Sequence, residues 1–393
     1  MSTTRGVAVY VAAIVGPGIL TLPAIAARRA GPASLLALAF MLAVSALIAA
    51  TFVALARRVP VAGGVAAYAE RAFGLGRLAG FWFYLGVPVG VTALGLIAGG
   101  YVSPHRPVQV AVAAGVVAVA LLSAARGQGA GGRLPLVLTG LLVVLVLATA
   151  AVSLPHATAA NLRPFAPHGW GAVVAATVPL VWVLTGWEAV TPLAHRLRRP
   201  GRVAAWTLTI VAVLFAAVAV PQVLVLGPTV DEAPVASLLR VGVGAGAGAI
   251  AAVFALVVAT GNAIAYTTGI AEIGMTLGLR RRLVVPALIM VGGLAAAAVF
   301  GVGTAELVAL CAGSQVPVYV LGLAAGVKLL PRGLPRVIAV VATVTVSLLL
   351  IPVGWYLLAP AVIAAVVGAG GRRRRGRRRE SPLEVGRPSP VQR

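Results

Sequence analysis

The first apolar run of this chain is interrupted at its middle. Residues 7–29 are apolar enough to cross a bilayer, yet they contain Gly16-Pro17-Gly18, with a second proline at Pro23. Proline removes a backbone donor and clashes with the preceding turn, and the flanking glycines do little to hold a helix together. In hydrocarbon an unpaired N–H or C=O costs several kcal/mol, so opened backbone survives there only if it is buried in protein or lines a cavity. The feature excludes a lone anchor helix and requires other spans around the break. A second interruption, Thr185-Gly186-Trp187-Glu188, lies in a later apolar run, 172–194.

The rest of the chain supplies those spans. It has 393 residues, 61% hydrophobic and only 10% charged, with mean hydropathy +1.05. Its apolar runs reach about 18 residues or more, the length that spans a bilayer. The expected class is an all-α integral membrane protein with about twelve transmembrane helices: 7–29, 33–56, 78–101, 107–124, 134–153, 172–194, 203–226, 248–277, 284–301, 305–329, 335–351 and 353–368. The last two, joined by Ile351-Pro352-Val353-Gly354, could instead be one bent hairpin. Pro60-Val61-Ala62-Gly63-Gly64 suggests a short re-entrant or amphipathic segment, and 233–241 another. The transmembrane domain is expected over 1–368 and a basic, disordered cytoplasmic tail over 369–393. The first run is no cleaved signal peptide, because a second span follows at once. One cysteine, Cys311, excludes a disulfide framework and cysteine-based metal binding.

The net charge of +23 reads as topology. With the N-terminus inside, the basic residues cluster on the inner segments, and only Arg28, Arg29, Arg106, Arg163 and Arg240 fall outside. Both termini are therefore expected to be cytoplasmic. The run Arg372-Arg373-Arg374-Arg375-Gly376-Arg377-Arg378-Arg379 suits anionic lipid headgroups beside a last span better than nucleic acid. The richness in Arg, Ala, Gly and Val points to a GC-rich bacterial genome, hence the bacterial inner membrane.

Few polar groups remain inside. Glu188 is the acid well within a span, while Glu272 and Glu306 lie nearer span ends. An intramembrane carboxylate is costly and is a functional candidate by default. Glu188 suits a proton carrier, or else caps broken-helix amides. At the first break, the half-helix beginning near Gly18 offers free N–H groups and a positive dipole end to a carboxylate. The half-helix ending near Val15 offers the carbonyls of Ile14 and Val15 to an ammonium. Both ends close together fit an α-amino acid. On this motif alone a packing kink and a binding break are equally good readings. A matching break five spans later favours binding, because inverted repeats place paired broken helices at the substrate site.

Four stretches carry a family likeness: Gly16-Pro17-Gly18-Ile19-Leu20-Thr21-Leu22-Pro23-Ala24, Pro60-Val61-Ala62-Gly63-Gly64-Val65-Ala66 with Phe73-Gly74, Gly86-Val87-Pro88-Val89-Gly90, and Thr185-Gly186-Trp187-Glu188-Ala189. With these the chain resembles the amino acid–polyamine–organocation superfamily, and within it the bacterial permeases that export methionine and branched-chain amino acids. The resemblance implies a five-plus-five inverted, LeuT-like repeat (about 7–153 and 172–329), with two extra helices over 335–368 and broken helices one and six. It implies a substrate site of Ile14, Val15, Gly16, Pro17, Gly18, Ile19, Trp182, Thr185 and Gly186. The amides of Gly18 and Ile19 would hold the carboxylate, and the carbonyls of Ile14, Trp182 and Thr185 the amino group. Glu188 would couple or gate, Trp182 and Trp187 would be gates or walls, and Asn262 and Tyr266 would be polar pocket groups.

The chain departs from the family at Pro17, where relatives carry Ser or Thr, so one amide and one hydroxyl donor are lost. After span six the expected acids are replaced in Ala194-His195-Arg196-Leu197-Arg198-Arg199-Pro200, and span five has no lysine to stand in for sodium. The expectation is a secondary active transporter of neutral, aliphatic L-amino acids. It works by alternating access, exports, and couples to protons rather than sodium through Glu188, with no cofactor and no metal. An uptake permease or a non-transporting amino-acid sensor are the alternatives. No catalytic constellation suggests an enzyme.

Overall fold

The computed structural model of the chain describes residues 2–59, 64–127, 134–187, 197 and 199–380. Among these the chain is helical with turns, and no strand is present. Among the described residues eight helical stretches are long and apolar enough to cross a membrane, including Gly18–Arg58, Gly76–Val102, Ala247–Thr276 and Thr304–Leu329. Four shorter apolar stretches accompany them: Thr3–Ile14, Gly169–Leu184, Pro234–Val243 and Val284–Val299. The protein is thus a multi-pass membrane protein.

The expected first span is two pieces. Helix α1 (Thr3–Ile14) and helix α2 (Leu22–Ala30) are separated by a 3-10 turn over Pro17–Leu20. The chain then reverses at Gly31, whose φ of +60° is open to glycine, and continues into α3 (Ser34–Arg58). Helix α4 (Gly64–Phe73) is a short amphipathic segment that starts at the last residue of the stretch 60–64, with Val65, Tyr68, Ala69 and Ala72 on one buried face. Pro60 to Gly63 lie outside the described residues. Long helices α5 (Gly76–Val102), α6 (Arg106–Ala125) and α7 (Leu134–Ser153) follow. The expected sixth span begins as α8 (Gly169–Ala175) and α9 (Thr177–Leu180), then tightens to a 3-10 turn over Val181–Leu184.

The second half contains α10 (Pro200–Pro221), the amphipathic α11 (Pro234–Val243), α12 (Ala247–Thr276), α13 (Val284–Val299) and α14 (Thr304–Leu329). Helices α15 (Leu334–Leu348), α16 (Leu350–Val353) and α17 (Leu358–Glu380) close the described chain, with a turn at Gly354. Helix α17 runs to Glu380; residues 381–393 of the expected tail lie outside the described part.

Helix α5 is the centre of the bundle, packed by α6, α12 and α14. Small residues allow that closeness, as they do between helices in lipid. A β-carbon at Gly99 would lie 2.5 Å from the Gln109 carbonyl oxygen of α6. Three of the described acids tie off turns and helix ends. Glu70 accepts from the Gly76 N–H at 2.8 Å, Glu306 from the Gly303 N–H at 2.9 Å, and Asp231 from the Ala233 N–H at 3.0 Å. Lys328, the single lysine, donates to the Ala72 carbonyl at 2.6 Å and sits over the Phe73 ring, pinning α4 to α14.

Candidate functional site

The first break is an extended segment followed by a tight turn. Val15 and Gly16 leave the helix with ψ of 92° and −176°, and Pro17 starts the turn, where its missing N–H costs nothing. Much of the opened backbone finds local partners. The Gly16 N–H donates to the Ile14 carbonyl at 3.2 Å and the Ile19 N–H to the Gly16 carbonyl at 3.2 Å. The Thr21 N–H donates to the Gly18 carbonyl at 3.1 Å. Two of the expected ligand groups, the Ile19 amide and the Ile14 carbonyl, are therefore engaged within the break. Farther along, the Tyr101 hydroxyl of α5 donates to the Leu20 carbonyl at 2.7 Å and accepts from the Val235 N–H of α11 at 3.4 Å.

The second break is built differently. After the 3-10 turn, Thr185 is extended, and both its N–H (3.3 Å) and its hydroxyl (2.8 Å) donate to the Trp182 carbonyl. Gly186 follows with φ +105°, a conformation that L side chains rarely adopt. A β-carbon there would lie 2.6 Å from the Ala13 carbonyl oxygen and 2.8 Å from the Ile14 Cα. The two interruptions, about 170 residues apart in sequence, thus meet backbone to backbone. Glu188 lies outside the described residues.

Most of the remaining sequence candidates converge on this meeting point. Trp182 lies across it: its Cε3 is 3.4 Å from a β-carbon at Gly18, and its Cζ2 is 3.3 Å from one at Gly90 of α5. Asn262 and Tyr266 of α12 face Gly16, with Asn262 Oδ1 at 3.4 Å and Tyr266 Oη at 3.9 Å from its β-position. Gly16, Trp182, Thr185, Asn262 and Tyr266 are partly exposed, while Val15, Gly18, Ile19 and Gly186 around them are buried. A patch of accessible surface therefore lies at the breaks. Trp187 is not part of it. It is 2% exposed, donates from Nε1 to Ser45 Oγ of α3 at 2.8 Å, and meets the Tyr10 ring edge-on at 6.2 Å. Among the described residues no cluster of His, Cys, Asp and Glu could hold a metal ion.

The sequence did not point to α14. Cys311 Sγ lies 3.0 Å from a β-carbon at Gly90, beside Trp182, and Gln315 donates from Nε2 to that sulfur at 3.4 Å. A glutamine in the middle of an apolar span was the signal available.

A membrane-spanning helical bundle in which two interrupted helices meet around accessible surface has the form of a secondary transporter. The profile of the family described as "Spore germination protein" matches residues 1–228. The uncharacterized amino acid permease YecA of Bacillus subtilis (strain 168) is 32% identical over 397 residues, covering 92% of each chain. The L-methionine/branched-chain amino acid exporter YjeH of Escherichia coli (strain K12) is 28% identical over 51% of this chain and 50% of its own. The crystal structure of MhsT in complex with L-phenylalanine superposes with a TM-score of 0.61 at 15% identity, over 88% of this chain and 98% of that one, so the fold is LeuT-like. The chain belongs to this permease family, of the amino acid–polyamine–organocation type, and it is a transporter and not an enzyme.

Proposed function

We propose that the chain is a secondary active transporter of neutral L-amino acids that works by alternating access. One observation carries this reading: Gly186 packs on Ala13 and Ile14, joining two broken helices beside the accessible surface of Gly16, Trp182, Thr185 and Asn262. Broken helices set amide and carbonyl ends against one another, which suits a ligand bearing a carboxylate and an ammonium. Two relatives are named as an amino acid permease and an amino acid exporter, and MhsT is seen in complex with L-phenylalanine, which supports the same ligand class. Scarcity of fixed charge among the described site residues argues for a neutral side chain.

In this reading the chain crosses the bacterial inner membrane twelve times as two inverted five-helix repeats plus a final pair, both termini are cytoplasmic, and flux is outward. Counterflow of labelled leucine, threonine, alanine and arginine in proteoliposomes tests it. The three neutral amino acids exchange and arginine does not, and Gly18→Leu, which drives a side chain into Trp182 and Leu22, lowers flux at least tenfold. Undiminished flux in that variant sinks the site. Proton coupling is assigned to Glu188 on its place in the sequence alone. Glu188→Gln then abolishes transport driven by a pH gradient while leaving exchange, and an unaltered pH response removes Glu188 from coupling.

A further inference from the structure

Behind Trp182 the wall of the proposed site changes character. The first break, the indole, α5 and α14 follow one another in direct contact: Gly18 faces Trp182 Cε3, and Gly90 faces both Trp182 Cζ2 and Cys311 Sγ. The edge of the indole that carries Nε1 therefore lies beside Cys311. Its N–H is buried and has no hydrogen-bond partner among the described residues. One turn on, Gln315 spends its amide N–H on the same sulfur, and its Oε1 has no partner among the described residues. Cys311 is 1% exposed and Gln315 8%. An otherwise apolar wall thus holds one buried donor and one buried acceptor, neither well satisfied, on the same patch.

Such a pair has a chemical complement. Buried polar groups are almost always paired, and an unmade bond is far costlier than a made one is favourable. A hydroxyl or a carboxamide accepts from an N–H and donates to a C=O at once, so a single group satisfies both. An aliphatic side chain pressed against Trp182 leaves both unmade. Sites built to bond a polar group reject the analogue that lacks it more sharply than apolar pockets reject an added methylene.

We infer that Trp182, Cys311 and Gln315 form the side-chain end of the substrate site, and that they favour neutral amino acids with a hydroxyl or carboxamide side chain over aliphatic ones. This rests on the transport reading and narrows it. Gln315 is the selecting residue; Cys311 orients it by holding its amide N–H.

The test uses the full chain in proteoliposomes with labelled threonine and leucine. Threonine is the better counterflow substrate in the wild type, and Gln315→Leu lowers the threonine-to-leucine flux ratio about tenfold, the effect of one lost hydrogen bond. An unchanged ratio overturns the inference while leucine counterflow keeps the transport reading alive. Thermal stabilisation by added amino acid gives a readout in the unmutated protein, whatever the variant's folding. Threonine raises the thermal midpoint at concentrations where leucine does not. Equal stabilisation by both, or by neither, overturns the assignment. If neither amino acid counterflows, the transport reading falls together with it.

Discussion

The two interrupted helices do the same topological job by different means. At the first, the chain closes on itself: Gly16, Ile19 and Thr21 bond within the segment, and every residue from Val15 to Leu20 keeps a negative φ. At the second, the geometry depends on its partner. Gly186 takes φ +105° against the Ala13 carbonyl, a place where no other residue fits. The lesson is that glycine serves unlike ends at the two breaks. At Gly16 and Gly18 it leaves room for side chains of α12 and for Trp182; at Gly186 it lets one backbone touch another.

The sharpest way to break this comparison is to add the same methyl at both. Gly186→Ala meets strain of about 1–3 kcal/mol from its dihedral angle, besides the displacement of Ala13. Its expected outcome is a clear fall in thermal midpoint and more than tenfold loss of counterflow. Gly16→Ala meets Asn262 Oδ1 at 3.4 Å, an ordinary contact, and its φ of −105° suits any residue. It keeps the wild-type thermal midpoint and changes flux only several-fold. Equal melting behaviour of the two variants would erase the distinction between the breaks. A smaller effect sharpens it: Trp187→Phe gives up the bond to Ser45, worth about 1 kcal/mol. Ser45→Ala does likewise, and the double variant loses less than the sum, as a thermal-shift cycle would read out.

How much of this could be read from the residues varies with distance along the chain. The first break was legible because Gly-Pro-Gly in the middle of an apolar run has few other uses. Asn262 and Tyr266 were legible as polar groups in a span, and they do face Gly16. The pairing of Ile19 with Gly16 was not, because the choice between a 3-10 turn and an α-helical start after Pro17 leaves no trace in composition. Trp187 reads as a gate beside a break, yet its packing on Tyr10 and Ser45 is set by helices more than a hundred residues away. For the same reason α14 escaped notice: Gln315 announces a polar group, but nothing near it in sequence names Trp182.

Tyr101 clasps the first break to the start of α11. Its hydroxyl holds Leu20 at the far end of the first break and Val235 at the start of α11, on the side of the bundle opposite the chain's start. Each contact is a neutral hydrogen bond with a net value of about 1 kcal/mol. A clasp of that size is within reach of thermal motion, so it fixes the geometry of the first break without locking it.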